Sequence, residues 1–498
     1  MEALLTGLAA LWDIQVLVAL LIGSIGGVLI GAVPGIGPAI AIAILLPATL
    51  FLPQIVGLVL LLGVYGSSMY GGAIPAILIN TPGTPVNALT TYDGYSMTRN
   101  GEANRALSLA YSASFFGGTF SILVAIFCLI ILGPYLKDFG ALFGNRDILM
   151  AAVFGSVLLV FAHRKNMILA ILLYFVGFMI ALVGRQTTKK IDRFTFDQEW
   201  LYSGLNLIVV IIGIFAISQA LFLLRSKDAA TPEIKMSGGL FQGLFELKKF
   251  PGVATASACY GTLMGIIPGV GEFVAQFFSY ATARSMSKDP DRFGHGAPDG
   301  LIASETSNNA VPAAAMIPLL ALGVPGEALT AMMLTVFYSK AIKPAPDIFE
   351  LNPDFLYSVF IALLIINVFV VIFLLLTTKY LTKVIYVPNR FLGAFILILA
   401  FIGVYSIRNS TVDCAVACVF GFLGFIMRRL NWPLVPIVLG MVLGDIIVKK
   451  LTAGASRVKV PWDLIDRPVS GGLFVLICLI LIVGTASVIW ERRQRSKR

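Results

Sequence analysis

Long apolar runs alternate with short polar breaks along this chain. A helix needs about 20 apolar residues to cross a bilayer. In the first half, residues 11–33, 106–132, 148–162, 167–183 and 204–224 approach or exceed that length. In the second half, 355–376, 392–407, 412–427, 434–448 and 472–490 do so. Two regions, 34–94 and 261–342, are apolar but interrupted by Pro, Gly, Asn and Thr. Their apolar pieces of about 10 to 15 residues suit re-entrant hairpins or half-helices better than full spans. Such backbone is tolerated at membrane depth only where protein or a water-filled cavity covers it. The expected fold class is an all-α polytopic membrane protein of about 10–12 transmembrane helices with two Pro/Gly-broken hairpin regions.

The two broken regions resemble each other. Gly27-x3-Gly31-x2-Pro34-Gly35-Ile36-Gly37 is matched by Gly261-x3-Gly265-x2-Pro268-Gly269-Val270-Gly271, an offset of 234. Gly72-Ala73-Ile74-Pro75-Ala76 meets Asn309-Ala310-Val311-Pro312-Ala313 at an offset of 237. Thr81-Pro82-Gly83 meets Val324-Pro325-Gly326 at 243, and Val153-Phe154-Gly155 meets Val419-Phe420-Gly421 at 266. The order is kept and the offset only grows, as insertions would make it. The pattern predicts a duplicated chain, 1–235 and 236–498, with one extra helix in the second half near 392–407. Paired interruptions in the two halves of a membrane protein point to a transport site.

Composition agrees with the pattern. Hydrophobic residues make up 58% of the 498 residues and charged residues 12%, against about 25% charged in a soluble protein. Mean hydropathy is +0.92. A soluble enzyme, a disordered tail and a secreted disulfide scaffold are excluded. The net charge of +10 comes from short Lys/Arg runs between apolar segments and from the C-terminal tail, which is how topology is written. No basic stripe with interleaved aromatics exists, so the partner is the lipid bilayer and no nucleic acid is expected. The tail and its same-side loops carry more basic residues than the opposite loops, which favours a cytoplasmic C-terminus. The N-terminus lacks the basic region of a cleaved signal peptide. Cys128, Cys259, Cys414, Cys418 and Cys478 all lie in apolar runs and are expected to be buried small hydrophobes. No P-loop, nucleophile elbow or His-Glu-x-x-His motif occurs, and the chain is not expected to be an enzyme.

Chemistry concentrates in the broken regions. Asn80, Thr81, Thr84 and Asn87 place neutral donors and acceptors around Pro82-Gly83. A break frees carbonyls, which suit a hard cation such as sodium, and N–H groups, which suit an anion. Thr84-Pro85 reads as a helix N-cap and first helical residue, and plain capping accounts for Thr84 equally well. In the second region Glu305 shares a helix face with Asn308 and Asn309. An ionisable residue at membrane depth is a functional-site hypothesis by default; Glu305 either neutralises a coupling cation or holds the hairpin by hydrogen bonds. The candidate substrate-binding residues are Asn80, Thr81, Gly83, Thr84, Asn308, Asn309, Pro325 and Gly326. The candidate ion-binding residues are Pro34, Gly35, Gly37, Pro268, Gly269, Gly271, Ser304 and Glu305. Glu327, just after Pro325-Gly326, is expected to cap a helix. No cofactor is expected, and no metal other than sodium as a candidate coupling ion.

Tyr70-Gly71-Gly72, Ile79-Asn80-Thr81-Pro82-Gly83-Thr84-Pro85 and Tyr92-Asp93-Gly94-Tyr95 resemble the large membrane subunit of the tripartite tricarboxylate transporters, the TctA type. So do Phe293-Gly294-x-Gly296, Glu305-x2-Asn308-Asn309-Ala310 and Leu322-Gly323-Val324-Pro325-Gly326. The resemblance covers nearly the whole chain. It implies a secondary transporter of the bacterial inner membrane that imports citrate-like di- or tricarboxylates on an ion gradient. It also implies a small, TctB-like membrane subunit, a TctC-like periplasmic solute-binding protein, inverted repeats and an elevator-like movement. Two positions depart from the family pattern: Ser304 stands where Pro is usual, and Glu327 where a small residue is usual.

Two other readings compete. A permease subunit of a binding-protein-dependent ABC importer needs a coupling loop and a partner ATPase, but no paired Pro-Gly hairpins. A lipid-modifying membrane enzyme needs a catalytic pair; Asp93 with Arg99 is the best on offer, and a turn bearing a solvated charge is the simpler reading of Asp93.

Overall fold

The computed structural model describes residues 2–34, 36–142, 144–163, 166–186, 191–226, 241–267, 271–454 and 460–495. Helices supply nearly all the regular structure, and the only strands among the described residues form a hairpin, Gly184–Gln186 with Ile191–Arg193. Among the described residues, seven helices are long and apolar enough to cross a membrane: Ile14–Gly31, Gln54–Ile79, Ala103–Ile131, Leu207–Arg225, Pro353–Val384, Asn389–Arg408 and Thr411–Arg429. Asn145–Ala162, Met167–Ala181, Val435–Gly454 and Pro468–Arg495 account for the remaining predicted spans. The chain is an all-α polytopic membrane protein.

Gln54–Ile79 is the central helix, with 89% of its apolar window buried, whereas Asn389–Arg408 lies at the rim with 28% buried. Close helix approach is bought with small residues, because lipid tails are as apolar as Leu and supply no hydrophobic drive for association. Ile14–Gly31 packs on Gln54–Ile79 along a glycine seam. A Cβ on Gly23 would stand 2.2 Å from the Leu60 carbonyl oxygen, and one on Gly31 would stand 2.3 Å from that of Ser68. Pro251–Ile266 meets Pro298–Leu322 in the same manner, with Gly261 against the Ser307 carbonyl and Gly265 against Ala314.

The short pieces expected in the broken regions occur as Gly37–Thr49 and Ala328–Ser339, of 13 and 12 residues. The segments that carry the polar motifs are longer than expected. Gln54–Ile79 runs for 26 residues through Pro75, and Pro298–Leu322 for 25 residues through Pro312 and Pro318. Both are buried along almost their whole length, and neighbours on every side hold the helix past each proline. The 204–224 run is not a plain span either. Leu207–Arg225 contains a π-helical turn at Ile212–Ile217, where Gly213 comes against Ala417 and Gly421 against Ile217.

The expectation for the cysteines needs correction. Cys259 and Cys418 are exposed, and Cys128, Cys414 and Cys478 are half-buried; all five are free. An apolar run does not distinguish a core-facing side chain from a lipid-facing one.

Candidate functional site

Each broken region turns on a left-handed residue at a helix C-terminus. Asn80, with φ 56°, ends Gln54–Ile79, and its N–H donates to the Pro75 carbonyl. Gly323, with φ 67°, ends Pro298–Leu322 and donates to Leu319. After Asn80 the chain folds back, and Gly83 N–H donates to the Gly72 carbonyl at 3.2 Å. A Cβ on Gly83 would lie 2.1 Å from the Gly31 carbonyl oxygen and 2.7 Å from Gly72 Cα. Glycine is required here by close approach of three backbones. Gly83→Ala is therefore expected to lower the thermal midpoint of the purified protein, by an amount typical of overpacking, about 1–3 kcal/mol. A wild-type midpoint would show that the break has room to shift.

Thr84 is extended and precedes a 3-10 turn, Pro85–Asn87, as the N-cap reading expected. Its hydroxyl does not cap the turn; it donates to Asn87 Oδ1 at 2.5 Å. Asn87 in turn donates to Glu305 Oε1 at 3.3 Å. Glu305 is fully buried and gathers donors from three helical segments. Thr90 also donates to Oε1, and Ser114 donates to Oε2 at 2.9 Å. Asn309 Nδ2 reaches Ser114 Oγ at 2.8 Å and the Glu305 carbonyl at 3.1 Å. Both carboxylate oxygens of Glu305 are thus engaged by protein. Ser304 is buried and its hydroxyl bonds back to its own helix, at Gly300 and Leu301.

Asn308 is different. It is 0% exposed, yet neither its amide nitrogen nor its amide oxygen has a hydrogen-bond partner. Asn80 and Thr81 lie exposed on the outer side of the first break, whereas Thr84 is buried within it. Pro325 is buried and Gly326 half-buried at the second. Of the Pro-Gly turns, Gly37 and Gly271 both take positive φ, 62° and 69°, at the start of a helix, and Pro34 is a half-buried turn residue. Gly35, Pro268 and Gly269 lie outside the described residues.

The model of the Tripartite tricarboxylate transporter TctA family matches residues 17–439. The chain belongs to the TctA family. An uncharacterized 52.8 kDa protein in the TAR-I ttuC' 3' region of Agrobacterium vitis is 33% identical over 430 residues, covering 86% of this chain and 85% of the relative. A second uncharacterized Agrobacterium vitis protein, in the TAR-II ttuC' 3' region, is 33% identical over 229 residues, 44% of this chain and 93% of its own length. No solved structure matches. TctA is a family of transporters within a tripartite system, so the match points away from an enzyme.

Two features of this TctA chain escaped the sequence reading. The first is Asp93, expected as a solvated turn charge. It is 1% exposed. Its Oδ1 accepts the N–H groups of Gly294, Gly296 and Ala297 at 2.8, 3.0 and 2.8 Å, and its Oδ2 accepts the Tyr280 hydroxyl at 2.7 Å. Arg99 is exposed and takes no part in this clamp. Burial pushes the Asp93 carboxyl above its ordinary range, and the four hydrogen bonds work against that shift. The Phe293-Gly294-x-Gly296 motif now has a physical reason: Gly294 and Gly296 take φ of 88° and 103°, which turns their N–H groups toward one oxygen. The second is Glu272, buried in the first turn of Gly271–Met286. The Glu327 carboxyl comes beside it, 3.9 Å from where a Cβ on Gly271 would stand. Glu327 holds the N-cap position of Ala328–Ser339, as expected, and its N–H is met by Thr330 Oγ1 at 3.0 Å. Its carboxyl looks elsewhere, accepting the Tyr65 hydroxyl at 2.5 Å. No local signal marks the Glu272–Glu327 pair, because its members lie on two different helices of the second broken region, 55 positions apart.

Proposed function

We propose that this chain is the large, substrate-translocating subunit of a binding-protein-dependent secondary transporter. It imports citrate-like di- or tricarboxylates across the bacterial inner membrane on an ion gradient. Its partners are a small, TctB-like membrane subunit and a TctC-like periplasmic solute-binding protein. The observation that carries the reading is Asn308, a buried amide with donor and acceptor both unpartnered, on the helix that runs into the second Pro-Gly break. Such an amide costs roughly 1–3 kcal/mol, a cost that a translocated ligand offsets when it binds. The first break supplies Thr84 beside the start of a 3-10 turn, where N–H groups favour a carboxylate. Neutral donors, rather than arginines, suit an anion that must be released again.

The reading includes two related halves, 1–235 and 236–498, in inverted orientation. The relation of the halves is supported by the pairing of left-handed residues, Gly37 with Gly271 and Asn80 with Gly323, at matching places, and their inversion rests on the family resemblance. The rim position of Asn389–Arg408 suits an added helix. The polar stretches at 185–201 and 225–250 are short of the 50 residues or more that a ligand-binding domain needs; capture therefore falls to the separate periplasmic protein.

The test is uptake of candidate acids into proteoliposomes holding the chain with both partners. Accumulation on an imposed ion gradient without ATP is expected. Asn308→Ala should lower uptake about tenfold or more, the worth of one hydrogen bond to a charged group. Its thermal midpoint should stay equal or rise, since the mutation removes an unpaired polar group. Uptake at the wild-type level would take Asn308 out of the site, and a requirement for ATP would favour an ABC permease.

A further inference from the structure

Glu272 and Glu327 have no part in the site built around Asn308 and Glu305. They sit at the starts of two helices, Gly271–Met286 and Ala328–Ser339. The Glu327 carboxyl reaches the start of the other helix, where a Cβ on Gly271 would stand 3.9 Å from its Oε2, and each carboxyl acts on the other. A hydrogen bond between two carboxyls needs a proton between them, since each oxygen is otherwise an acceptor. The Tyr65 hydroxyl fills one lone pair of Glu327 from the central helix, and Tyr65 is 0% exposed. Glu272 is 3% exposed, and its Oε1 is buried without a partner.

Among the described residues no base balances the charge at this place. Tyr65 is the other titratable group here: both carboxyls act on it, and its hydroxyl bonds Glu327. Lys340 lies at the far end of Ala328–Ser339, where its ammonium is held by the Leu50 and Leu52 carbonyls at 2.8 and 2.6 Å. Asp445 acts on Tyr338, also at that far end. Among the described residues no third acid or histidine joins the two glutamates to make a metal cage. Two carboxyls so placed, Glu272 buried and Glu327 half-buried, with no basic partner among the described residues, share a proton.

A second observation lies one helical turn along. Gln276 is 0% exposed and its Oε1 has no partner, while its Nε2 donates to the Val86 carbonyl of the first break. The helix that carries Glu272 therefore also grips the backbone beside Thr84. An unpartnered amide oxygen on the Glu272 face offers a stopping point for a water or hydronium that delivers the proton.

We propose that Glu272 and Glu327 form a single proton-carrying dyad, and that the coupling ion of this transporter is a proton. The inference rests on the transport reading given above and names the ion for it. Loading forms one O–H bond, on either carboxylate, with the proton drawn from outside water. The O–H then donates to the other carboxylate, and the dyad charge goes from −2 to −1. Unloading breaks that O–H bond and passes the proton to inside water. Gln276 ties the loaded helix to the first break, which links proton occupancy to the substrate hairpin.

The test uses the complete transporter in sodium-free proteoliposomes with an internal pH dye and citrate as the probe. Wild type is expected to accumulate citrate on an inward proton gradient and to acidify the lumen as it does so. Glu272→Gln and Glu327→Gln should each lose gradient-driven accumulation and acidification by about tenfold or more, yet keep citrate counterflow. Unchanged acidification in both variants, or accumulation that follows sodium and ignores the proton gradient, overturns the dyad. Infrared spectroscopy of the purified protein gives a readout independent of transport. The C=O band of a protonated carboxyl, shifted in heavy water, should lose one component in either variant, while any Glu305 component stays. Absence of that loss in both variants overturns the dyad even where citrate moves. Its presence in a protein that moves no carboxylate overturns the transport reading alone.

Discussion

Glu305→Ala is expected to be the most damaging single change in the polar core. It strips the acceptor from Thr90, Asn87 and Ser114 at once. These donors belong to the first broken region and to the Ala103–Leu142 helix, while Glu305 belongs to Pro298–Leu322. Each buried donor left unpaired costs about 1–3 kcal/mol. Hydrogen bonds between helices in bilayers average only about 0.6 kcal/mol, because the unfolded chain finds partners too. A carboxylate acceptor shared by three donors lies at the high end, and a loss on the order of 3 kcal/mol is expected. Glu305→Gln keeps one carbonyl acceptor and the shape, and should lose about a third as much. Thermal midpoints and size-exclusion profiles in detergent check both. Equal, small losses for Ala and Gln would show that Glu305 is not the hub of this network.

Asp93→Ala is expected to have the next largest effect. It removes the acceptor of three backbone N–H groups and of Tyr280. The backbone at Gly294 and Gly296 cannot turn these groups away cheaply, because both residues are committed to positive φ. A loss of about 2 kcal/mol is expected, since the donors left behind are neutral N–H and O–H groups and no charge is stranded. Asp93→Asn retains an oxygen for the N–H groups and should restore most of the stability. A second check is limited proteolysis at 287–297, which should become much faster in Asp93→Ala alone. Unchanged cleavage would mean that this loop is held by other contacts, such as the Arg292–Asp299 pair at 2.9 Å.

Most of the span pattern was legible in the sequence because bilayer thickness translates directly into run length. The breaks were legible too, since Pro and Gly act locally: Asn80 and Gly323 take left-handed φ where the motifs place the turns. Prolines inside Gln54–Ile79 and Pro298–Leu322 gave the opposite impression. Local propensity favours a stop at Pro75 and Pro312, and burial on all sides overrides it.

The sequence by itself determined that the chain is helical, lies in a membrane and carries two polar breaks. It also brought Glu305 and Asn309 together, because one helical turn separates them. Only the tertiary structure decided which polar groups are satisfied and by whom. Asp93 meets Gly294 across about 200 positions, Thr90 meets Glu305 across a similar span, and Tyr65 meets Glu327 across 262. Hydrophobic periodicity carries no information about such pairings. Inside a bilayer it does not even separate core from rim, since lipid and protein interior are equally apolar and the free energy of facing either one is nearly the same.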